Sequence, residues 1–506
     1  MGKWYYQWIP TSIFDFFHNH SPSSKMMLSF LKITDPELLE TMSENKVLKL
    51  YQNVRTNIPA YKKFLKKCKV DKADEIKDII DFNAILPVVD KHNYVMQYPL
   101  IERTFNHRLP KHGLIVESSG STTKDPTNWF RTYEEEQAVA RDVAFESRYL
   151  FGDKEYIIIS CWSLGAWTTS LSFCSYFEQL GVVKNIGPDI EQVIKTLKFM
   201  GPKYNYIIAG YPPFVKHLID TNALPWKKYN INFVVGGEGF IPGWRKYMLS
   251  KVKKGAKIIS AYGASDLETG MAVETPLCQC IRDLFATYPK KVQKAFGIEE
   301  LPSFFQYNPL RFYINNLPET KEFHTTVMTH GTPSVMVKYN VKDFGAKLSY
   351  NEMISIMNAS FSGFEKRHRT ELKSSLKLPF LWVAGRSDDV ISLDGSKMYP
   401  QQIEMALLKD KRIYKSIQSF QTTKSYHNNG SDHFLVKIQL QEGVKPSKQL
   451  AKKIKNALQT NLSRISKAYK LGLHDLPSCY EPHVELYEFH NGPFDVEKIK
   501  NKYVVE

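Results

Sequence analysis

Four short apolar segments rich in isoleucine and valine recur between residues 156 and 263. They read YIIIS from residue 156, YNYIIAG from 204, INFVVGG from 231 and AKIISAYG from 256. Helix-like segments such as DIEQVIKTLKFM and IPGWRKYMLSKVKK separate them. Buried strands that alternate with helices predict an α/β domain built on a largely parallel sheet. In such sheets ligands bind outside the carboxyl ends of the strands.

The pattern changes on both sides of this region. Residues 1 to about 110 are mostly helix-like and interrupted by proline, as in VRTNIPAYKKFLKK. A new pattern begins near residue 380, and SDHFLVKIQLQEG and SKQLAKKIKNALQTNL then alternate strand and helix again. We therefore predict a large N-terminal domain of stacked α/β subdomains over residues 1–384, and a small α+β domain over residues 385–506.

Composition narrows the class of protein. The chain has 506 residues, of which 43% are hydrophobic and 24% are charged, which is ordinary globular usage. It contains no apolar run of eighteen residues, so no transmembrane segment is predicted. Six scattered cysteines and the lack of a recognisable signal peptide predict a reducing, cytoplasmic location.

The net charge of +16 favours anionic partners without choosing among them. Polyphosphate ligands, acidic carrier proteins and anionic membranes all remain compatible with it. No zinc finger and no basic motif interleaved with aromatic residues occurs, so we predict no nucleic-acid partner.

The segment ESSGSTTKDPTNWFRTY, residues 117–133, contains an uninterrupted run of small and hydroxylated residues. Apolar, strand-like residues flank the run on both sides, which argues against a flexible linker. A polar loop held by two strands concentrates backbone N–H groups and hydroxyls, as a polyphosphate requires. The phosphate loop of kinases and NTPases fits poorly, because Gly120 is not followed by a second glycine before Lys124.

Further motifs follow this loop in a fixed order. They are GGE at 236–238, YGASD at 262–266, VKYNVKDFG at 337–345 and GRSDDVISLDGSKMYPQQIE at 385–404. The series resembles the adenylate-forming superfamily of acyl-CoA ligases, luciferases and peptide-synthetase adenylation domains. IPAYKKFL, SSGST and FFQYNPL look most like its phenylacetate–CoA ligase branch, including capsule-biosynthesis-type relatives. The resemblance extends from about residue 50 to the end of the chain.

The resemblance implies a two-step reaction with ATP and Mg²⁺ as cofactors. A carboxylic acid and ATP would give an acyl-adenylate, and a thiol of CoA or of a carrier protein's phosphopantetheine would then accept the acyl group. The residues implied around the nucleotide are Ser118, Ser119, Gly120, Ser121, Thr122 and Thr123 at the β- and γ-phosphates, Gly237, Glu238, Tyr262 and Gly263 at the adenine, Ser265 at the α-phosphate, Asp266 at Mg²⁺, Asp343 at the ribose hydroxyls, and Arg386 beside the nucleotide.

The resemblance also implies residues for catalysis, for domain rotation and for binding the thiol and the acyl group. Lys498 is the expected catalytic cation, with Lys500 and Lys502 as close rivals in FDVEKIKNKYV. Asp388 would be the hinge of a mobile C-terminal lid domain, and Gly395 would line the path of the thiol. The implied acyl-pocket residues are Trp167 and Tyr211. Because such pockets are mostly apolar, they favour an apolar or aromatic acid.

The sequence departs from the family motifs at several positions, and other roles for the site residues and other functions stay open. Thr123 stands where the family loop usually has a second glycine, and Asp266 where it commonly has a glutamate. Asp343 could instead cap a turn, and Tyr262 could be a core residue. An amine could replace the thiol as acceptor, giving an amide. A non-catalytic nucleotide-binding relative is the remaining alternative.

Overall fold

The structure is a computed structural model. It describes residue 29 and residues 31–70, 76–117, 127–166, 168–267, 270–298, 300–386, 391–393, 396–426 and 432–494.

Eleven strands form one sheet, in the order β10-β11-β12-β13-β9-β8-β7-β6-β5-β3-β4. The strands are β3 (Tyr156–Ser160), β4 (Val182–Asn185), β5 (Asn205–Gly210), β6 (Asn230–Gly236), β7 (Ile258–Tyr262), β8 (Ala272–Val273), β9 (Ser303–Tyr307), β10 (Phe312–Leu317), β11 (Glu322–Val327), β12 (Asp343–Leu348) and β13 (Phe380–Arg386). A separate hairpin, formed by β1 (Gly113–Glu117) and β2 (Asn128–Thr132), precedes them.

The first half of this sheet is the parallel unit predicted from the four apolar segments. Strands β4, β3, β5, β6 and β7 pair in parallel, and helices connect strands that are consecutive in the chain. The α/β fold class is therefore confirmed. Strand β4 lies outside the four predicted segments. The connecting helices are α4 (Tyr133–Phe151), which enters the unit, α5 (Thr168–Phe177), α6 (Ile190–Met200), α7 (Pro212–Asp220) and α8 (Pro242–Lys251).

Strands β8 to β13 pair antiparallel, so the sheet as a whole is mixed. Three N-terminal helices occur, as the helix-like pattern of residues 1–110 predicts, and the first and third of them contact β10. These are α1 (Pro36–Asn57), α2 (Pro59–Lys67) and α3 (Ile79–Ile85); α9 (Pro276–Thr287), α10 (Lys290–Phe296), α11 (Tyr350–Ser360), α12 (Phe364–Arg367) and α13 (Arg369–Ser374) belong to the antiparallel half.

The C-terminal part is a smaller α+β unit. Its three-stranded sheet has β17 at the centre, antiparallel to β16 and parallel to β18. The elements are β14 (Ile391–Leu393), β15 (Ser396–Met398), α14 (Pro400–Leu408), α15 (Lys411–Lys415), β16 (Ile417–Tyr426), β17 (Asp432–Leu440), α16 (Lys448–Ile465), α17 (Lys467–Asp475), α18 (Pro477–Tyr480) and β18 (His483–Tyr487). Strand β13 runs through the predicted domain boundary at 384/385, and that boundary stays a prediction.

One hydrophobic cluster joins the two parts. It contains buried residues of β5, β6, α7 and α8 together with residues of α14, β16, β17 and α16. The ammonium of Lys216 on α7 is buried there, donating to Asp220 at 2.9 Å and to the carbonyl of Ile417 at 3.1 Å. Among the helices that the structure describes, none is long and apolar enough to cross a membrane.

A buried histidine in β11 makes stability depend on pH. Burial, together with the nearby positive charge of Lys338, lowers the pKa of His324 to about 3. In the unfolded chain the pKa of histidine is about 6.5. Between these values the unfolded state binds one more proton than the folded state, so stability falls as pH falls from about 6.5 to about 3.

We expect His324→Phe to lose less stability than the wild type on acidification, because phenylalanine cannot take up the proton. Between about pH 5.5 and 4 the difference is about 1.4 kcal/mol per pH unit. Thermal unfolding midpoints measured across this range test it, with His324→Gln as a second variant and the exposed His112→Gln as the control. Parallel pH profiles for wild type and both His324 variants contradict the assignment.

Candidate active site

The β1–β2 hairpin fixes both ends of the Ser/Thr-rich segment. In the antiparallel register Glu117 pairs with Asn128, so the two strand ends that flank the segment lie next to each other. The Val116 and Trp129 side chains that flank the segment are buried, which anchors the hairpin to the body of the protein. The sequence predicts the two strands on either side of the segment, and both are present.

A buried arginine ties β2 to the YGASD motif. Arg131 pairs with Glu135 at 2.9 Å, and both side chains are almost fully buried. The second terminal nitrogen of Arg131 donates to the carbonyl of Ser265 at 3.3 Å and also to that of Leu267. The backbone that carries Ser265 is therefore positioned by a charge located in β2.

Glu135 also contacts a third segment, the turn at residues 331–332. It completes a capping box at the start of α4, in which the Thr132 hydroxyl accepts from the Glu135 N–H at 3.0 Å. The same carboxylate accepts from the Thr332 hydroxyl at 3.1 Å, and Thr132 donates to the carbonyl of Gly331 at 2.9 Å. The 331–332 turn thus lies against the hairpin.

Tyr262 and Asp343 meet at the end of β7 and the start of β12. The phenol of Tyr262 donates a short hydrogen bond to the carboxylate of Asp343. The Tyr262 ring packs on Phe305 and Phe323, with centroid distances of 5.5 and 6.3 Å. Asp343 stands opposite Arg386 in the β12–β13 register. The structure therefore brings together residues of three motifs that are far apart in sequence.

The GGE motif ends β6 as the sequence predicts. Gly237 has a φ of +80°, a conformation that a residue with a Cβ rarely adopts. Glu238 follows it and lies close enough to Tyr211 to affect that phenol. Burial, and to a lesser extent the charge of Glu238, raises the pKa of Tyr211. The Tyr211 ring is largely buried and packs edge-on against Trp162, with centroids 4.8 Å apart.

Asp266 is held by a tyrosine rather than standing alone. The hydroxyl of Tyr339 donates to its Oδ2 at 2.7 Å. Burial and the charge of Asp266 raise the pKa of Tyr339, so the phenol stays protonated and remains the donor. No cluster of three or more His, Cys, Asp or Glu side chains suited to a metal occurs among the described residues. A Mg²⁺ site at Asp266 would therefore need phosphate oxygens as further ligands, which is how proteins commonly bind this ion.

The remaining predicted site residues lie outside the described residues. They are Ser118, Ser119, Gly120, Ser121, Thr122 and Thr123 of the loop, Trp167 of the acyl pocket, Asp388 of the hinge, Gly395 of the thiol path, and Lys498 with its rivals Lys500 and Lys502. Arg386 is described only through its backbone. Their roles stay predictions.

Sequence reasoning missed the residues that support the site. Arg131, Glu135, Thr332 and Tyr339 belong to none of the roles assigned from the motifs. Thr132 followed by Glu135 was a usable signal, since a threonine with a glutamate three residues later marks the start of a helix. No comparable local pattern announces that Tyr339 reaches Asp266, 73 positions earlier in the chain.

The sequence matches no family model and no curated protein. Among solved structures, the chain is similar to 2-hydroxyisobutyryl-CoA ligase in the postadenylation state with R3-HIB-AMP. The TM-score is 0.66 at 14% identity, covering 92% of this chain and 89% of that one. The acyl acid amido synthetase AtGH3.15 in complex with 2,4-DB is similar with a TM-score of 0.58 at 12% identity, covering 94% and 90%. The chain therefore has the fold of adenylate-forming enzymes.

The same CoA ligase in its thioesterification state, with 2-HIB-AMP and CoA, matches less well. Its TM-score is 0.51 at 14% identity, again covering 92% of this chain and 89% of that one.

The Arg131–Glu135 pair generates a stability prediction. Glu135→Gln leaves the guanidinium buried without its counter-charge, and breaking a buried pair on one side typically costs about 3 kcal/mol or more. Urea unfolding of the purified chain measures this cost. The matched control is Glu191→Gln, which breaks an exposed i,i+4 pair with Lys195 and should cost less than about 0.5 kcal/mol. Equal effects in the two variants contradict a supporting role for the buried pair.

Proposed function

We propose that the chain is an ATP-dependent carboxylate-activating ligase. In the first step an oxygen of the carboxylate attacks the α-phosphorus of ATP, giving acyl-AMP and releasing pyrophosphate. In the second step a thiol attacks the acyl carbon, forming a thioester and releasing AMP and a proton. CoA or a carrier-protein phosphopantetheine supplies that thiol. Within the superfamily, the sequence motifs favour the phenylacetate–CoA ligase-like branch.

The observation that carries this proposal is the juxtaposition of Tyr262 with Asp343 beside the end of β7. A carboxylate that is fixed by a phenol can accept further hydrogen bonds, as both ribose hydroxyls require. Gly237 and Glu238 directly follow β6, which pairs with β7, so an adenine can lie between them and Tyr262. The overall likeness to a ligase solved with an acyl-AMP supports the same reading.

The segment between β1 and β2 would bind the phosphates of ATP. Hydroxyls and N–H groups of residues 118–123 would surround the β- and γ-phosphates, and Ser265 would contact the α-phosphate. Mg²⁺ held by Asp266 would offset the phosphate charge when bound. Arg131 would keep Ser265 at a fixed distance from the hairpin, since it donates to the Ser265 carbonyl at 3.3 Å. Preorganised donors of this kind lower the barrier because they need no rearrangement during reaction.

The acyl group would lie near Tyr211 and Trp162, whose rings contact each other. Both are largely buried, so they would form the rigid wall of a pocket. Trp167 is a further acyl-pocket residue predicted from the sequence. An aromatic wall favours an apolar or aromatic acid over a small charged one. Amide formation is a second candidate for the acceptor step, because the amido synthetase AtGH3.15 shares the fold over most of this chain.

We expect the purified chain to catalyse ATP–pyrophosphate exchange only when a suitable carboxylic acid is present. Lys498→Ala should reduce this exchange about a hundredfold or more, because the lysine would stabilise charge on the carboxylate and α-phosphate oxygens. ATP binding measured by equilibrium dialysis should be retained.

Lys500→Ala and Lys502→Ala are the matched controls for this experiment. Wild-type exchange in Lys498→Ala, with loss in one of the controls, would move the catalytic role to that lysine. A panel of acids tested by pyrophosphate release identifies the substrate class, and preference for acetate or a dicarboxylate would overturn the apolar pocket. Absence of exchange with every acid favours the non-catalytic alternative.

The second half-reaction requires the C-terminal unit to move. The better match to the postadenylation state than to the thioesterification state of the same ligase supports an arrangement suited to the first step. Rotation at Asp388 would then withdraw Lys498 and bring the segment around Gly395 to the thiol path, as domain-closure hinges do.

We expect Gly395→Leu to spare pyrophosphate exchange while blocking acyl transfer to CoA, a carrier protein or an amine, because the added side chain fills the acceptor's path. Asp388→Pro fixes φ at the hinge and should slow transfer far more than adenylation, or the reverse if it holds the other pose. Each half-reaction is assayed separately, with labelled acid and each acceptor in turn. Parallel loss of both half-reactions in both variants rules out the rotation.

A further inference from the structure

A group of buried hydrogen-bond donors surrounds Arg103, which ends the short turn Leu100–Arg103. Only 4% of the Arg103 residue surface is exposed. Its Nε and Nη1 atoms have no acceptor among the described residues, and the same holds for the hydroxyl of Tyr94 and for Nε1 of Trp129. Arginine and tryptophan side chains donate hydrogen bonds and cannot accept them. The group therefore lacks an acceptor.

The guanidinium of Arg103 is held in a defined orientation. Its central carbon lies 4.7 Å from the centroid of the Trp129 ring, a cation–π contact. Its Nη2 donates to the carbonyl of Asn128 at 3.4 Å. Asn128 and Trp129 are the first residues of β2, directly after the Ser/Thr-rich segment. The guanidinium thus lies against the start of β2.

Three other buried arginines of the described chain have a carboxylate in direct contact, whereas Arg282 donates to the carbonyl of Phe240. Arg131 pairs with Glu135 at 2.9 Å, Arg311 with Asp142 at 3.1 Å, and Arg245 with Glu274. Arg103 makes no such pair among the described residues. A buried charge without a partner is costly, and proteins retain one where a ligand completes it.

The carboxylate of Asp266 lies near enough to Arg103 for its charge to raise the pKa of the guanidinium. Asp266 accepts its hydrogen bond from Tyr339 and forms no ion pair with Arg103. Burial lowers the pKa of Arg103, whereas Tyr94, Tyr339 and Asp266 raise it. The guanidinium and Asp266 therefore lie near each other in the same site, without neutralising each other directly.

We propose that Arg103, Tyr94 and Trp129 form a subsite for an oxyanion of the substrates, either a phosphoryl group of the nucleotide or the carboxylate of the acid. This inference rests on the proposed function and adds binding residues to it. The planar fork of a guanidinium matches both oxyanions through two parallel hydrogen bonds. The Tyr94 hydroxyl and the Trp129 N–H supply further donors around it. None of the three residues has a role assigned from the motifs, although Trp129 lies within the quoted segment 117–133.

Two measurements on the full chain separate the possible sources of the oxyanion. The first is calorimetric titration with inorganic pyrophosphate, which needs no turnover. The second is the KM for the most active acid of the panel in the exchange assay. The variants are Arg103→Met, which keeps the length of the side chain without its donors, Arg103→Lys, which keeps the charge, and Tyr94→Phe.

Arg103→Met should weaken one of these interactions about tenfold or more, and Arg103→Lys should restore part of the loss. Weaker pyrophosphate binding identifies a phosphoryl group as the occupant, and a higher KM for the acid identifies the carboxylate. Tyr94→Phe should weaken the same interaction about threefold without lowering the thermal midpoint, because its hydroxyl has no partner in the described chain.

Tyr61→Phe is the matched control, since the hydroxyl of Tyr61 is also buried without a partner among the described residues, and its ring touches that of Tyr94. Removing it should change neither ligand interaction. Unchanged pyrophosphate binding and unchanged KM in folded Arg103→Met and Tyr94→Phe would overturn the subsite, as would equal losses in Tyr61→Phe. If the wild type binds pyrophosphate but shows no acid-dependent exchange, the proposed function fails while the subsite is still tested by titration.

Discussion

The candidate site depends on the buried Arg131–Glu135 pair more than on any other contact. This pair joins the hairpin that holds the Ser/Thr-rich segment, the backbone of the YGASD motif and the 331–332 turn. Two of these segments lie outside the strands, and their carbonyl groups at Ser265 and Gly331 accept hydrogen bonds from Arg131 and Thr132. Because both charges are buried and further hydrogen-bonded, the pair orients three loops at once, whereas apolar packing alone would leave them free to slide. The geometry proposed for nucleotide binding follows from this constraint.

Much of this arrangement could be predicted from sequence, and the remainder could not for physical reasons. The isoleucine-rich strands and the loops that follow them are local patterns, so β3, β5, β6, β7 and the turn at Gly237 could be predicted, whereas the short edge strand β4 could not. The antiparallel half of the sheet was harder to predict from the sequence, because pairing of strands such as β9 with β13 joins positions far apart in the chain. The contacts of Asp343 with Tyr262 and of Asp266 with Tyr339 span 81 and 73 positions. Residues without a motif, such as Arg103, become visible only when burial and missing partners are known.

The interface between the two parts of the chain combines apolar packing with charged groups that each have a hydrogen-bond partner within their own part. Lys216 on α7 and Tyr247 on α8 both bind Asp220, at 2.9 and 2.6 Å, and all three belong to the N-terminal part. Across the interface, Tyr414 donates to Glu404 at 3.2 Å, and both belong to the C-terminal part. The groups face each other closely, since the Lys216 ammonium lies 5.0 Å from the centroid of the Tyr414 ring. Burial raises the pKa of Glu404 to about 7, which lowers the cost of enclosing it.

This division matters for a reaction that proceeds through domain rotation. If the C-terminal unit moves away, Lys216 loses the carbonyl of Ile417 but keeps Asp220, so no buried charge is left without a partner. Glu404 would gain water while keeping Tyr414, and its pKa would return toward the ordinary range. The principal cost of separation is then the apolar surface of the shared cluster, which a new contact elsewhere on the N-terminal part can recover. A buried ion pair formed across the interface would instead leave a bare charge on each side. Charged groups that keep a partner within their own part therefore allow the interface to be tightly packed and still separable.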